Sequence, residues 1–160
     1  MSPDNAALTA QLIDKLKDKG LMVTAAESCT GGMIMAQLTD IAGASSVVDR
    51  GFVTYSNQAK SELLGVQEST LKLYGAVSAE TAFEMVTGAS DKANGAATIA
   101  VTGIAGPDGG SKDKPVGTVW IATSTPQAGV LCKDYQFPGD RQAVREQTVK
   151  AALVQILSQL

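Results

Sequence analysis

A chain of 160 residues, 44% of them hydrophobic, can bury one proper core, and residues 1–160 are read as a single domain. A net charge of −3 with no Lys/Arg cluster argues against nucleic-acid partners, and neither a membrane-length apolar run nor a leader-like N-terminus is present, so a cytoplasmic setting is expected. The chain has no histidine and two distant cysteines, Cys29 and Cys132, which removes Ser-His-Asp and Cys-His chemistry, offers no zinc-ligand pattern, and in a reducing compartment predicts two free thiols.

From Asn5 to Lys19, Ala6, Leu8, Leu12, Ile13 and Leu16 share one face and Gly20 stops the run, so an amphipathic helix is predicted there. Leu21 to Ala26 is short, apolar and partly β-branched, as a buried strand requires. Gly31 to Ile41 returns to helical spacing. Between them lies ESCTGG, Glu27 to Gly32, a strand-to-helix turn that carries Ser28 and Cys29. The first turn of the following helix has unpaired N–H groups and the positive end of the dipole, which suits a developing oxyanion. Gly31 and Gly32 permit close approach of a ligand. The competing reading makes Ser28 or Thr30 a helix cap and the glycines a tight turn.

Ile41 to Ser46 is predicted as a turn, Gly51 to Tyr55 as a second strand, and a helix begins at Asn57. In Tyr55-Ser56-Asn57-Gln58-Ala59-Lys60, Tyr55 would sit at a strand's carboxyl end and Lys60 one turn into the helix, both able to face one crevice. A lysine held among apolar or cationic neighbours can lose its proton at neutral pH and serve as the base for a serine. The alternative is one more solvated helix lysine. Ser45 and Ser46 read as turn serines.

Ser78 is predicted to cap a helix to about Lys92, and Ala96 to Thr102 is a continuous apolar run of the kind found in central strands. Thr102 to Gly110 then brings four glycines to a strand's carboxyl end, the usual ligand rim of an α/β sheet. It matches neither G-x-G-x-x-G nor the P-loop, so no dinucleotide or triphosphate site of those kinds is expected. Gly117 to Ser124 and Gly129 to Phe137 form a hairpin, and Asp140 caps a last helix to Leu160. Arg141 and Arg145 share one face of its first turn, unfavourable beside the positive dipole end unless an anion or a carboxylate accompanies them. Strands alternating with helices, plus one hairpin, predict a three-layer α/β/α sandwich with a mixed sheet.

ESCTGG, GFVTYSNQAK, TGIAGPDGG with KPVGTVW, and GDR, in this order and over nearly the whole chain, closely resemble the CinA C-terminal domain family. Its stand-alone members, of the PncC type, are nicotinamide mononucleotide deamidases. The resemblance therefore implies hydrolysis of nicotinamide mononucleotide to nicotinic acid mononucleotide and ammonia, in pyridine nucleotide salvage. It further implies Ser-Lys chemistry with no metal and no cofactor, and a homodimer. By motif, Ser28 and Lys60 become nucleophile and base, with Tyr55 as relay or orienting group. Gly43-Ala44-Ser45 matches a family turn whose serine also belongs to the active site, so Ser45 competes as nucleophile or relay. Ser56 is a third option. Cys29, Thr30, Gly31, Gly32 and Asn57 would surround the substrate, the Cys29 to Gly32 amides stabilising the oxyanion. Thr102, Gly103, Gly106 and Arg141 would hold ribose and phosphate.

Overall fold

The computed structural model describes residues 2–160, and among them five strands form one sheet in the order β2-β1-β3-β4-β5. The elements in chain order are α1 (Pro3–Lys19), β1 (Val23–Glu27), α2 (Met33–Thr39), a 3-10 turn (Ala44–Ser46), β2 (Val48–Val53), α3 (Asn57–Leu64), α4 (Glu68–Tyr74), α5 (Ala79–Lys92), β3 (Ala97–Gly103), β4 (Thr118–Thr125), β5 (Gly129–Gln136) and α6 (Arg141–Ser158). β2, β1 and β3 run parallel, whereas β4 and β5 return as an antiparallel hairpin, so the sheet is mixed.

The two faces of the sheet carry different side chains. On one, Val23, Ala25, Ile99, Val101, Val119 and Ile121 meet Leu12, Leu16, Ile34, Leu38, Val144, Leu153 and Ile156 of α1, α2 and α6. On the other, Ala26, Ala100 and Ala122 present only methyl groups to Ala82, Met85, Val86 and Ala89 of α5, with Leu64 from the end of α3. Alternation along each strand sorts large from small, and the alanine face lets α5 approach closely. Gly88 extends the same economy of space, since a Cβ there would sit 1.8 Å from the Leu64 carbonyl oxygen. The three-layer α/β/α sandwich expected from the sequence is the observed architecture.

Local chemistry ends the elements where the sequence indicated, with some shifts. Ser56, Ser78 and Asp140 cap α3, α5 and α6 by accepting from the Ala59, Thr81 and Ala143 amides. β1 ends one residue later than expected, which moves Glu27 from the loop into the strand. β2 is displaced toward the N-terminus and leaves Tyr55 beyond its end, because Val48 pairs with Val23 and the Thr54 amide makes the last bond, to Glu27. α2 is shorter than expected, since Gly31 and Gly32 both hold positive φ and keep the turn open until Met33. α4 was not anticipated; it buries no residue, so it has no apolar stripe to read.

The register places the site. Glu27 faces Val53 on one side and Val101 on the other, so β1, β2 and β3 end at one edge of the sheet, with Ser28, Thr54 and Thr102 just at or past it. β5 runs in the same sense as β3, which delivers the start of α6 to the same edge. The β1-to-β2 and β2-to-β3 crossovers lie on opposite faces of the sheet. A crevice opens at the carboxyl ends where such crossovers diverge.

Candidate active site

Ser28 is fixed by the strand that precedes it and by β3, whose Val101 carbonyl accepts the Ser28 amide at 3.1 Å. Lys60 projects from the second turn of α3, under the sheet edge, and is 1% exposed although it carries an amine. Its Nζ lies 2.9 Å from Ser28 Oγ, 2.9 Å from the Thr54 carbonyl oxygen and 3.2 Å from that of Tyr55. No carboxylate accompanies it: the ion pairs among the described residues, Arg50 with Asp49 and Lys150 with Asp4, lie elsewhere. Burial without a counter-ion lowers the Lys60 pKa from its ordinary 10.5, with the neighbouring Cys29 thiol opposing that shift.

The three partners of Nζ fit the amine in either protonation state, with the bond to Ser28 reversing direction between them. A protonated lysine donates three hydrogens and accepts none. Deprotonated, Lys60 keeps two hydrogens for the Thr54 and Tyr55 carbonyls and turns its lone pair to the Ser28 hydroxyl. Cys29, next along, is buried, and burial pushes its thiol up to about 11, so at neutral pH it is a thiol and a poor nucleophile. Cys29 and Cys132 are both free.

The turn after Ser28 differs from the expectation in one respect. Glu27 is fully buried, and its carboxylate accepts Thr30 Oγ1 at 2.6 Å and the Ile34 and Met35 amides at 2.8 and 3.1 Å. The start of α2 is thus already occupied by a charge of the protein's own. The Gly31 and Met33 amides are bonded to Ser28 and Thr30. Among the described residues, the Cys29, Thr30 and Gly32 amides have no protein acceptor.

Around this pair lies a cleft of about 250 Å³ lined by Ser28, Cys29, Tyr55, Lys60, Ala76, Val77, the glycine loop and Arg141. Gly103 is a necessary glycine, since a Cβ would sit 2.7 Å from Val119 Cγ2 and 3.2 Å from Cys29 Sγ. Thr102 spends its hydroxyl on the Ala76 carbonyl at 2.8 Å, which ties the 75–77 segment over the cleft. Arg141 donates to the Gly106 carbonyl at 2.8 Å and to the Tyr55 hydroxyl at 2.9 Å, bridging the mouth. Larger depressions between α1, α2 and α6 and between α3 and α4 are also lined by serine and lysine, but among the described residues no lysine there bonds a serine.

A profile of the CinA C-terminal domain matches residues 5–160. The chain belongs to this family. Among its CinA relatives, a protein of Enterobacter agglomerans described as nicotinamide-nucleotide amidohydrolase PncC is 54% identical over 91% of this chain and 89% of its own length. The protein of the same description from Escherichia coli K12 is 49% identical over 91% and 88%. In the solved competence/damage inducible protein CihA of Agrobacterium tumefaciens, 45% identical, the fold superposes with a TM-score of 0.94 over 99% of this chain and 96% of that one. A CinA superfamily protein of Escherichia coli, 36% identical, does so at 0.93 over 100% and 94%.

Within this CinA-family site, not every residue expected from the sequence comes together. Ser28, Cys29, Tyr55, Lys60, Thr102, Gly103, Gly106 and Arg141 line one cleft. Tyr55 divides its roles, its carbonyl receiving Lys60 and its exposed ring carrying the hydroxyl out to Arg141. The Thr30 side chain, Gly31 and Gly32 shape the turn behind the cleft. Asn57 is exposed and borders a separate depression with Gln58, Ser61 and Glu62. Ser56 is engaged as the α3 cap. Ser45 is exposed in the 3-10 turn before β2, at the opposite edge of the sheet, roughly 16 Å away by the rise of a five-residue strand. It therefore stands apart from Lys60 within this chain.

One contributor is not singled out by sequence reasoning, and another has a different partner from the expected one. Glu27 gave its only hint as an acidic residue directly before the candidate serine, at the end of an apolar run. For Arg145 the sequence predicts an anion or a carboxylate as partner; instead its Nε and Nη2 donate to the Cys29 and Thr30 carbonyls at 3.1 and 3.2 Å.

Proposed function

We propose that this protein, through residues 1–160 as one catalytic unit, hydrolyses nicotinamide mononucleotide to nicotinic acid mononucleotide and ammonia, with Ser28 as nucleophile and Lys60 as base. The observation that carries the reading is the 2.9 Å contact between Ser28 Oγ and a buried lysine that has no counter-ion, in a chain without histidine. The names of the CinA relatives supply the substrate.

Neutral Lys60 accepts the Ser28 hydroxyl proton as Oγ adds to the carboxamide carbon. The Cys29 and Thr30 amides receive the oxyanion. Lys60 passes the proton to the departing nitrogen, the C–N bond breaks, and ammonia leaves a nicotinoyl ester on Ser28. Water then gives a proton to Lys60 and adds to the ester, and the returning proton restores the Ser28 hydroxyl. The pyridinium charge makes the carbonyl more electrophilic and disfavours protonation of the amine beside it. Arg141, with unpartnered amides of the Ala105 to Gly110 loop, would take the phosphate and ribose. No residue in this scheme requires a metal or cofactor.

The same reading carries a cytoplasmic homodimer. Two free thiols and the unpaired edge of β2 support it, and no helix among the described residues is long and apolar enough to cross a membrane. Sedimentation of the purified chain tests the dimer. Ammonia release from nicotinamide mononucleotide, in buffer containing a chelator, tests the chemistry. We expect turnover in the wild type and in Ser45→Ala, and loss of it in Ser28→Ala. Absence of ammonia from the wild type, or loss at Ser45 with retention at Ser28, overturns the assignment.

A further inference from the structure

We propose that Arg145 is a positioning residue that aligns the oxyanion-binding amides of the nucleophile turn. This rests on the amidohydrolase reading above. The turn from Ser28 to Gly31 contains peptide groups whose carbonyls are each anchored. The Ser28 carbonyl accepts the Gly31 amide at 3.0 Å, and the Thr30 carbonyl accepts the Met33 amide at 3.1 Å as well as Arg145. The Cys29 carbonyl has Arg145 Nε, at 3.1 Å, as its protein donor.

A trans peptide directs its N–H opposite to its C=O, and the turn's peptides are trans. Anchoring the Ser28 carbonyl therefore aims the Cys29 N–H, and anchoring the Cys29 carbonyl aims the Thr30 N–H. Both of these amides lack a protein acceptor, as does that of Gly32 at the end of the turn. The first is oriented by the backbone itself. The second depends on a side chain from α6, more than a hundred residues away. The guanidinium also polarises the Cys29–Thr30 peptide, which strengthens its N–H as a donor to negative charge.

The arrangement is a clamp with opposite charges on its jaws. Glu27 holds Thr30 Oγ1 and the start of α2 from beneath, while Arg145 holds the carbonyls of Cys29 and Thr30 from α6. A Cβ at Gly31 would only touch Arg145 Nη2, at 3.6 Å; what the position requires of glycine is its φ of 56°. Arg141, one turn earlier, instead bridges Gly106 and Tyr55 at the mouth of the cleft. The two arginines on one helix face thus have separable tasks: Arg141 at substrate binding, Arg145 at the transition state.

The test is steady-state ammonia release by the wild type, Arg145→Ala, Arg145→Lys and Arg141→Ala, with and without added guanidinium ion, beside thermal unfolding of each. Losing one oxyanion donor outright lowers kcat by about 100- to 1,000-fold, so misaiming one is expected to lower it by about 10- to 100-fold. KM should stay within about threefold, the pH dependence set by Lys60 should be unchanged, and guanidinium should restore part of kcat in Arg145→Ala. An Arg145→Ala variant with normal kcat, or one whose loss lies in KM, overturns the proposal. So does a loss that guanidinium does not restore and that follows a collapse in thermal stability.

A second readout does not need the substrate: the rate at which a fluorophosphonate phosphonylates Ser28, with fluoride leaving and the hydroxyl proton passing to Lys60. A fall of about tenfold or more in Arg145→Ala supports the positioning role even where nicotinamide mononucleotide gives no ammonia, an outcome that would sink only the substrate assignment. An unchanged labelling rate overturns the positioning role, and a wild type that neither turns over nor is labelled overturns both.

Discussion

Replacing Lys60 with Met removes the amine while nearly conserving side-chain volume, and it distinguishes a lysine that is neutral in the folded protein, as a base must be, from one that stays charged. In the folded protein Nζ serves the Thr54 and Tyr55 carbonyls, both of which lose a donor in the variant. The Thr54 carbonyl is buried and that of Tyr55 only partly so; a buried acceptor left unpaired costs about 1–3 kcal/mol, so Lys60→Met is expected to lose about that much where the wild-type amine is neutral, chiefly at Thr54. The loss must depend on pH. Burial lowers the Lys60 pKa below 10.5, so between that lowered value and 10.5 the unfolded chain holds a proton that the folded chain has released. Raising the pH through this window stabilises the wild type, and lowering it leaves the folded protein bearing the cost of a buried ammonium. The Met variant has no such term. Urea unfolding of both proteins across neutral to alkaline pH should therefore show their stability difference widening as pH rises. A difference that widens as pH falls would mean the folded state prefers the charged amine, and Lys60 as base would be refuted. In the same variant turnover should fall by about 100- to 10,000-fold, the usual contribution of a positioned base.

Glu27→Gln keeps the shape of the carboxylate but turns an NH2 toward one of the three donors it now accepts. Loss of a charge-assisted bond and the donor–donor contact should cost about 2–4 kcal/mol in urea unfolding; a cost below about 1 kcal/mol would contradict an ionised carboxylate holding the turn. Arg141→Ala should raise KM for nicotinamide mononucleotide by about tenfold or more and abolish discrimination against the riboside, which lacks phosphate; equal KM values for variant and wild type would remove Arg141 from the phosphate site. Gly88→Ala drives a methyl group into the Leu64 carbonyl, so thermal unfolding should report a loss of about 1–3 kcal/mol or more. Because α3 also carries Lys60, kcat should fall with it, and unchanged turnover would show that α3 shifts without moving the amine.

Much of this protein is legible along the chain because its causes are local. Side-chain period separates α1 from β3, and Ser56, Ser78 and Asp140 announce the starts of three helices because a cap bonds only a few residues onward. The lack of histidine limits the partners available to a serine, and the order of ESCTGG, YSNQAK, the glycine loop and GDR carries the family resemblance. α4, with no buried side chain, leaves no such trace. What the tertiary structure alone decided is which end of the sheet each residue occupies and what meets it there. Ser28 and Ser45 are both serines beside glycine-containing turns, yet the parallel pairing of β1 with β2 sends them to opposite edges. Glu27 and Arg145 look like ordinary charges until the chain closes and brings them to the nucleophile turn, one fully buried, the other from a helix at the far end of the sequence. Crossover direction, register and long-range burial arise from the whole core at once, and no local spacing encodes them.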